Sequence, residues 1–434
     1  MRTKCTFSVS DPVKFKKNLL IWSKNFKEAI FLDSNSHINS HSDSYSSFDA
    51  LLAVDSHSSL ASSLNSFEKL EHFYSNTNDW LFGYLSYDLK NELEDLQSNN
   101  YDGLHFPELY FFQPKKIIQV KANQVHFLYL DKFESQIFTD YNTVLNFETD
   151  KNESKKSDVK IKLRIHKDAY YDKANLFLKH IYRGDIYEAN FCQEFYAEKT
   201  KIEPVSTYFN LNKISETPFA TFLKFNNKYL LSATPERYLK KVGDKIISQP
   251  IKGTAARSTD KKEDKLLKKS LAEDVKERAE NIMITDLVRN DLSRIAEKGS
   301  VKVEELCKVY TFEQVHQMIS TISARVDRNM NPIEIIKATF PMGSMTGAPK
   351  IAALKIIEKL EETKRGLYSG TVGYFTPNGD FDFNVVIRSI LYNEIKKYVS
   401  YSVGSAITAK SEPEKEYQEC LLKAKAMRKV LESN

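Results

Sequence analysis

Cysteine is scarce: Cys5, Cys192, Cys307 and Cys420 are the only four in 434 residues. None forms a CxxC pair or stands at metal-ligand spacing from a histidine, which excludes a disulfide framework and a zinc site and implies free thiols in a reducing compartment. Long hydrophobic runs are missing as well. No stretch reaches the roughly 18 apolar residues of a membrane-spanning helix, and "MRTKCTFSVSDPVKFKK" has no signal-peptide core, so a cytoplasmic protein is expected. Charge of one sign is also lacking. Lys and Arg number 63 against 58 Asp and Glu, and acids are interleaved with the lysines in "TDKKEDKLLKKSLAEDVKER". That patterning marks a solvated helix face and excludes the basic stripe of a nucleic-acid binder. A phosphate loop is excluded too, because in "FPMGSMTGAPK" three residues separate Gly343 from Gly347 and Lys350 does not follow Gly347 directly. What remains there is a glycine-rich entry to a helix beginning near Thr346, whose free N–H groups suit an anion.

What the chain does have is core-forming material, 41% apolar and 12% aromatic, enough for a large domain or two. Residues 33–66, rich in Ser, Asn, Asp and His, read as a long surface loop. Residues 146–162 read as a polar hinge, placing a boundary between an N-terminal region (1–157) and a second region (158–434). "KDAYYDKANLFLKHIYRGD" has helical spacing and a stop at Gly184. Asn226-Asn227, Gly243-Asp244 and Pro377-Asn378-Gly379 read as hairpin turns. Helices are expected at about 262–295, 332–339, 347–361 and 412–431. Helices set between antiparallel hairpins give an α+β sandwich, not a doubly wound parallel sheet.

Several charged residues stand where charge needs a partner. Lys252, in "SQPIKGTAAR", lies across a hairpin from Pro235 and beside Glu236, and a bulge at Pro235 or Pro250 would bring amine and carboxylate to one face. Such a pair is either a structural ion pair or a nucleophile with an acid. A nucleophilic lysine must lose its proton, and with an ordinary lysine pKa of about 10.4 it rarely does at neutral pH. On the last helix Glu416, Glu419 and Lys423 border the apolar arc of Tyr417, Cys420, Ala424 and Met427. Carboxylates so placed suit Mg2+ or a solvated flank equally. Glu280 ends an acidic stripe and points inward, either as a further metal ligand or as the mate of Arg289. Arg388 in "FNVVIRSIL" reads as a charge on a strand apolar on both faces, to be met by an internal or a substrate carboxylate. His316 is a lone histidine in an apolar segment.

From about residue 168 to 431 these stretches resemble the chorismate-utilising enzymes. The motifs are "IYRGDIYEANFCQEF", "LLSATPERYL", "QPIKGTAAR", "AENIMITDLVRNDLSRI", "VHQMISTI", "FPMGSMTGAPKIAALKIIE", "DFNVVIRS" and "SEPEKEYQECLLKA", with "FGYLSYDL" as a weaker match in the N-terminal third. The resemblance implies an anthranilate-synthase-like sandwich of antiparallel sheets covered by helices, with 1–157 completing it and 158–434 binding chorismate. Lys252 in PIKGT resembles the aminodeoxychorismate synthase component I branch, where anthranilate synthases are similar to PIAGT; isochorismate synthases carry a general-base lysine where this chain has Glu188. What the resemblance implies is a Mg2+-dependent transferase that makes 4-amino-4-deoxychorismate for p-aminobenzoate and folate. In it Lys252 attacks C2 and Glu236 is the general acid. Glu280, Glu416 and Glu419 hold Mg2+. Tyr368, Arg388, Lys423 and the backbone of Gly404, Ser405 and Ala406 hold the carboxylates, while Thr346 and the catalytic His316 line the ring. Ala406 stands where the family has a glycine. With no Cys-His-Glu glutaminase triad in the chain, ammonia is expected from a glutamine amidotransferase partner. The alternatives are an anthranilate synthase large subunit and an inactive scaffold for the amidotransferase.

Overall fold

Two antiparallel layers share a pair of long strands. In the computed structural model, which describes residues 1–35, 45–147, 159–312 and 315–432, Ala50–Ser62 and Leu109–Lys121 pair along almost their whole lengths and serve both layers. From them one layer runs through Glu28–Asp33, Ala220–Phe225, Lys228–Ser232, Ser389–Asn393 and Tyr398–Thr408 to Glu188–Ala197. The other runs through Leu81–Leu85, Thr371–Phe375, Phe381–Asn384, Arg237–Val242 and Lys245–Gln249 to Val315–Arg325, which also pairs with Ile251–Ala256. This is the sandwich that the hairpin pattern predicts.

Alternation along each strand sets the two cores. On Glu188–Ala197, Phe191 and Phe195 face outward into a core closed by the helices Lys167–Tyr182, Pro204–Ser215 and Pro413–Glu432. Cys192 faces inward, with Phe82, Phe111, Leu223 and Phe383, into the core between the layers. Each fully buried Leu or Phe there contributes about 1.5–3 kcal/mol. The expected turns form: Phe225 pairs with Lys228 around Asn226-Asn227, and Val242 with Lys245 around a Gly243 in left-handed backbone (φ +62°).

Four local expectations fail for identifiable reasons. Residues 50–62 of the expected loop are a strand. "ALLAV" is buried, and from Ser56 to Ala61 the strand alternates half-buried and exposed before ending at a buried Ser62, so its serines belong to a half-solvated strand and not to a loop. Residues 36–44 and the 157/158 boundary lie outside the described residues. The helix expected over 262–295 is two, Lys261–Glu273 and Val275–Ser293; Asp274 is extended and caps the second by accepting from the Glu277 N–H at 2.9 Å. The helix after the glycine-rich segment begins at Lys350, because Gly347-Ala348 is spent pairing with Glu188 and Ala189, so Thr346 is not at a helix N-terminus. Arg388 is not on a strand. The chain leaves one layer at Asn384 and enters the other at Ser389, and Arg388 sits in the crossing with left-handed backbone (φ +53°).

Candidate active site

The site lies where Glu188–Ala197, Ile251–Ala256, the 385–388 crossing and the helices Val275–Ser293 and Pro413–Glu432 converge. Asn281 fastens the first of these helices to the sheet, its side-chain amide donating to the Lys252 and Met318 carbonyls at 3.2 and 3.1 Å. That places the neighbouring Glu280 beside the strand that carries Lys252.

The Lys252 side chain is partly buried, 12% exposed, and its Nζ donates to Glu188 Oε1 at 3.0 Å. The partner is thus Glu188 and not Glu236. The register does shift, between Arg237 and Lys240 and again between Ile251 and Thr254 around Lys252 itself, but not at a proline, and Glu236 acts on Lys252 only through its charge. Burial by itself would depress the Lys252 amine, yet Glu188, Glu280 and Glu419 outweigh it and hold its pKa above the ordinary lysine range. The resting nitrogen is therefore an ammonium. The second Glu188 oxygen is buried without a hydrogen-bond partner. Glu236 is 3% exposed, and burial pushes its carboxyl up to about 7 against the pull of the Ser344 hydroxyl and the Lys252 ammonium. It is an acid poised to give up a proton near neutrality.

The acidic residues of the two helices gather as the sequence suggests, with lysines between them. Burial pushes Glu280 up to about 7, and its Oε1 has no hydrogen-bond partner. Lys276 Nζ lies 3.7 Å from Glu280 and 3.1 Å from Glu416, so Glu280 meets Lys276 and not Arg289, which pairs with Asp286. The Ser405 hydroxyl donates to Glu416 and, at 3.3 Å, to Glu419. Burial opposes ionisation of Glu419, but Lys423, Lys276 and Lys252 hold it down at about 2. Lys423 reaches Glu419 at 2.5 Å and the Gly404 carbonyl at 2.8 Å. Among the described residues no three His, Cys, Asp or Glu side chains converge closely enough to hold a metal as they stand. The donors nonetheless suit a hard cation: oxygen ligands, one of them buried and unsatisfied, with an ammonium already between two carboxylates.

On the other side of the site Tyr368 is buried with its hydroxyl 3.8 Å from Cys192 Sγ. A Cβ on Gly404 would stand 2.5 Å from Asn190 Oδ1 and 2.7 Å from Cys192 Sγ, so any larger residue there would have to displace those two side chains. Ala406 pairs with Asn190 in the same ladder, and the Asn190 N–H donates to the Thr346 carbonyl at 2.8 Å. The Arg388 guanidinium forms neither hydrogen bond nor ion pair among the described residues, while its backbone carbonyl accepts from the Ala233 N–H at 3.2 Å. Burial lowers its pKa, and only Tyr368 and Glu419 act the other way. A partly buried guanidinium left so is built to receive an anion. His316 is not joined to this cluster. Its ring nitrogens lie 3.0 Å from Thr311 and 3.0 Å from Asp264. The residues that sequence reasoning missed are Lys276, Asn281 and, as the lysine's partner, Glu188. The first was legible as an i, i+4 mate of Glu280, the last as one of the alternating polar residues Glu188, Asn190, Cys192 and Glu194.

The sequence profile of the family described as chorismate binding enzyme matches residues 17–429. A chloroplastic aminodeoxychorismate synthase of Arabidopsis thaliana is 41% identical over 280 residues, 64% of this chain but only 30% of that protein. Aminodeoxychorismate synthase component 1 of Escherichia coli strain K12 is 38% identical over 61% of this chain and 58% of its own length. The chain thus spans well under two thirds of these relatives. The crystal structure of anthranilate synthase component I from Streptococcus pneumoniae superposes with a TM-score of 0.77 at 24% identity, over 87% of this chain and 91% of that one, a likeness of fold. No helix among the described residues is long and apolar enough to cross a membrane.

Proposed function

The chain belongs to the chorismate binding enzyme family, and within it we propose that it aminates chorismate at C4 to 4-amino-4-deoxychorismate, using ammonia from a separate glutamine amidotransferase. The observation that carries this reading is the pairing, in one buried site, of an amine with an acid: Lys252 at 3.0 Å from Glu188, and a Glu236 carboxyl poised near 7. A family member that only rearranges or eliminates has no need of a nucleophilic nitrogen at this point.

Arg388, Tyr368 and Lys423 bind and orient the substrate's carboxylates, Arg388 giving the unneutralised charge. Glu280, Glu416 and Glu419 are the residues that would hold Mg2+. That ion would bind the ring carboxylate and offset Glu280 and Glu419, two of the three carboxylates that keep Lys252 charged. Lys252 passes its proton to Glu188, the carboxylate it already donates to, and its nitrogen bonds to C2 as the ring double bonds shift and the C4–O bond breaks, Glu236 protonating the departing hydroxyl so that it leaves as water. Ammonia adds at C4 and the lysine leaves with the electron pair of the C2–N bond. Two modest displacements replace one difficult one. By this reading the product serves p-aminobenzoate and folate synthesis.

Incubating the purified protein with chorismate, Mg2+ and ammonium, and identifying the product by mass, tests the proposal. Aminodeoxychorismate is expected. Anthranilate formed without an added lyase would assign the chain to the anthranilate branch, and no turnover would leave a scaffold.

A further inference from the structure

We propose that Lys276 is a built-in occupant of the divalent-cation site and sets that site's affinity. The inference rests on the reading that Glu280, Glu416 and Glu419 take Mg2+. Lys276 and Glu280 are one helical turn apart on Val275–Ser293, while Glu416 lies on Pro413–Glu432. The Lys276 ammonium, 3.1 Å from Glu416 Oε1 and 3.7 Å from Glu280 Oε1, makes the only ion pair between these two helices among the described residues. It is thus the cation that bridges the two carboxylates a metal would bridge.

The two occupants exclude each other. Mg2+ binds carboxylate oxygens at about 2.0–2.1 Å in near-octahedral order and tolerates no ammonium on the same oxygens. The Glu280 oxygen nearest Lys276 has no hydrogen bond, and the other Glu416 oxygen is engaged by Ser405, so the face toward Lys276 is the open one. Lys276 can leave. Its side chain is 37% exposed, so the freed ammonium reaches water. The other nearby lysines cannot do the same. Lys252 is tied to Glu188, and Lys423, held by the Gly404 carbonyl, takes one oxygen of Glu419 alone, so neither bridges Glu280 and Glu416. Metal entry is therefore an exchange of one positive charge for two, and every binding event includes the displacement of Lys276.

The test is calorimetric titration of the full chain with MgCl2, without chorismate, for the wild type, Lys276→Met and Lys276→Arg, with thermal unfolding of each as a check on folding. Removing the competing charge is expected to tighten Mg2+ binding about 10-fold, a discounted figure for a half-exposed pair. Lys276→Arg, which keeps the charge, is expected to bind no tighter than wild type. Equal affinity in wild type and Lys276→Met, or weaker binding in that variant, would overturn the role of Lys276 while leaving the site standing. Failure of all three folded proteins to bind Mg2+ would instead overturn the metal reading and this inference with it.

Discussion

Replacing Glu236 by glutamine should stabilise the protein in a way that depends on pH, because the acid is held in a place hostile to its charge. In the unfolded chain the carboxyl releases its proton near 4.5, and in the fold only near 7. Between those values the folded state binds more protons than the unfolded state, so the stability contributed by this group falls as pH rises. The loss begins near 4.5 and is complete above about 7. At about 1.4 kcal/mol for each pKa step, the full penalty is about 3 kcal/mol. Glutamine has the same shape and no charge, and escapes it. With an unfolding entropy of about 2.1 cal/mol/K per residue, a 434-residue chain converts that energy into about 3 °C. Differential scanning calorimetry of both proteins should show the variant's advantage in Tm widening by about 2–3 °C between pH 5 and pH 8.5, with amination lost. The other acids titrate in both proteins and cancel. A Tm difference that stays constant across this range would show that Glu236 ionises like an ordinary glutamate, and the general-acid assignment would fall.

Arg388→Met should weaken chorismate binding by at least about 30-fold, since a desolvated carboxylate loses its charged partner, yet leave Tm unchanged or raised because an unneutralised charge leaves the interior. A lowered Tm with normal affinity, read by thermal shift and calorimetric titration, would make Arg388 structural. Glu188→Gln removes one of the charges that raise the Lys252 pKa, so the pH at which covalent capture of chorismate is half-maximal should move down. No shift, or a shift upward, would contradict the pairing.

The sequence was most legible where local chemistry decides the outcome. The hairpins at Asn226-Asn227 and Gly243-Asp244, and the helices Pro332–Thr339 and Pro413–Glu432, follow from turn residues and periodicity. It was least legible where tertiary partners decide. Nothing within the serine-rich Ala50–Ser62 shows that Leu109–Lys121 lies alongside it. Asp274 carries no breaker signal, only a short side chain that caps the next helix as well as it continues the last. For the site, the carboxylates Glu280, Glu416 and Glu419 were found as a group. The identity of the Lys252 partner was not, because it depends on a register shift between Ile251 and Thr254 and on Glu188 arriving from the other layer. The direction of the Lys252 shift was likewise open until those neighbours were in place.

The central claim is that the Lys252 nitrogen bonds to the substrate, and intact-protein mass spectrometry after incubation with chorismate and Mg2+ in the absence of ammonia tests it most directly. Wild type should gain the mass of chorismate less one water, mapped by peptide fragmentation to Lys252, and Lys252→Ala should gain nothing while still binding chorismate. An adduct persisting in Lys252→Ala, or none in a wild type that goes on to form aminodeoxychorismate when ammonium is added, would contradict it.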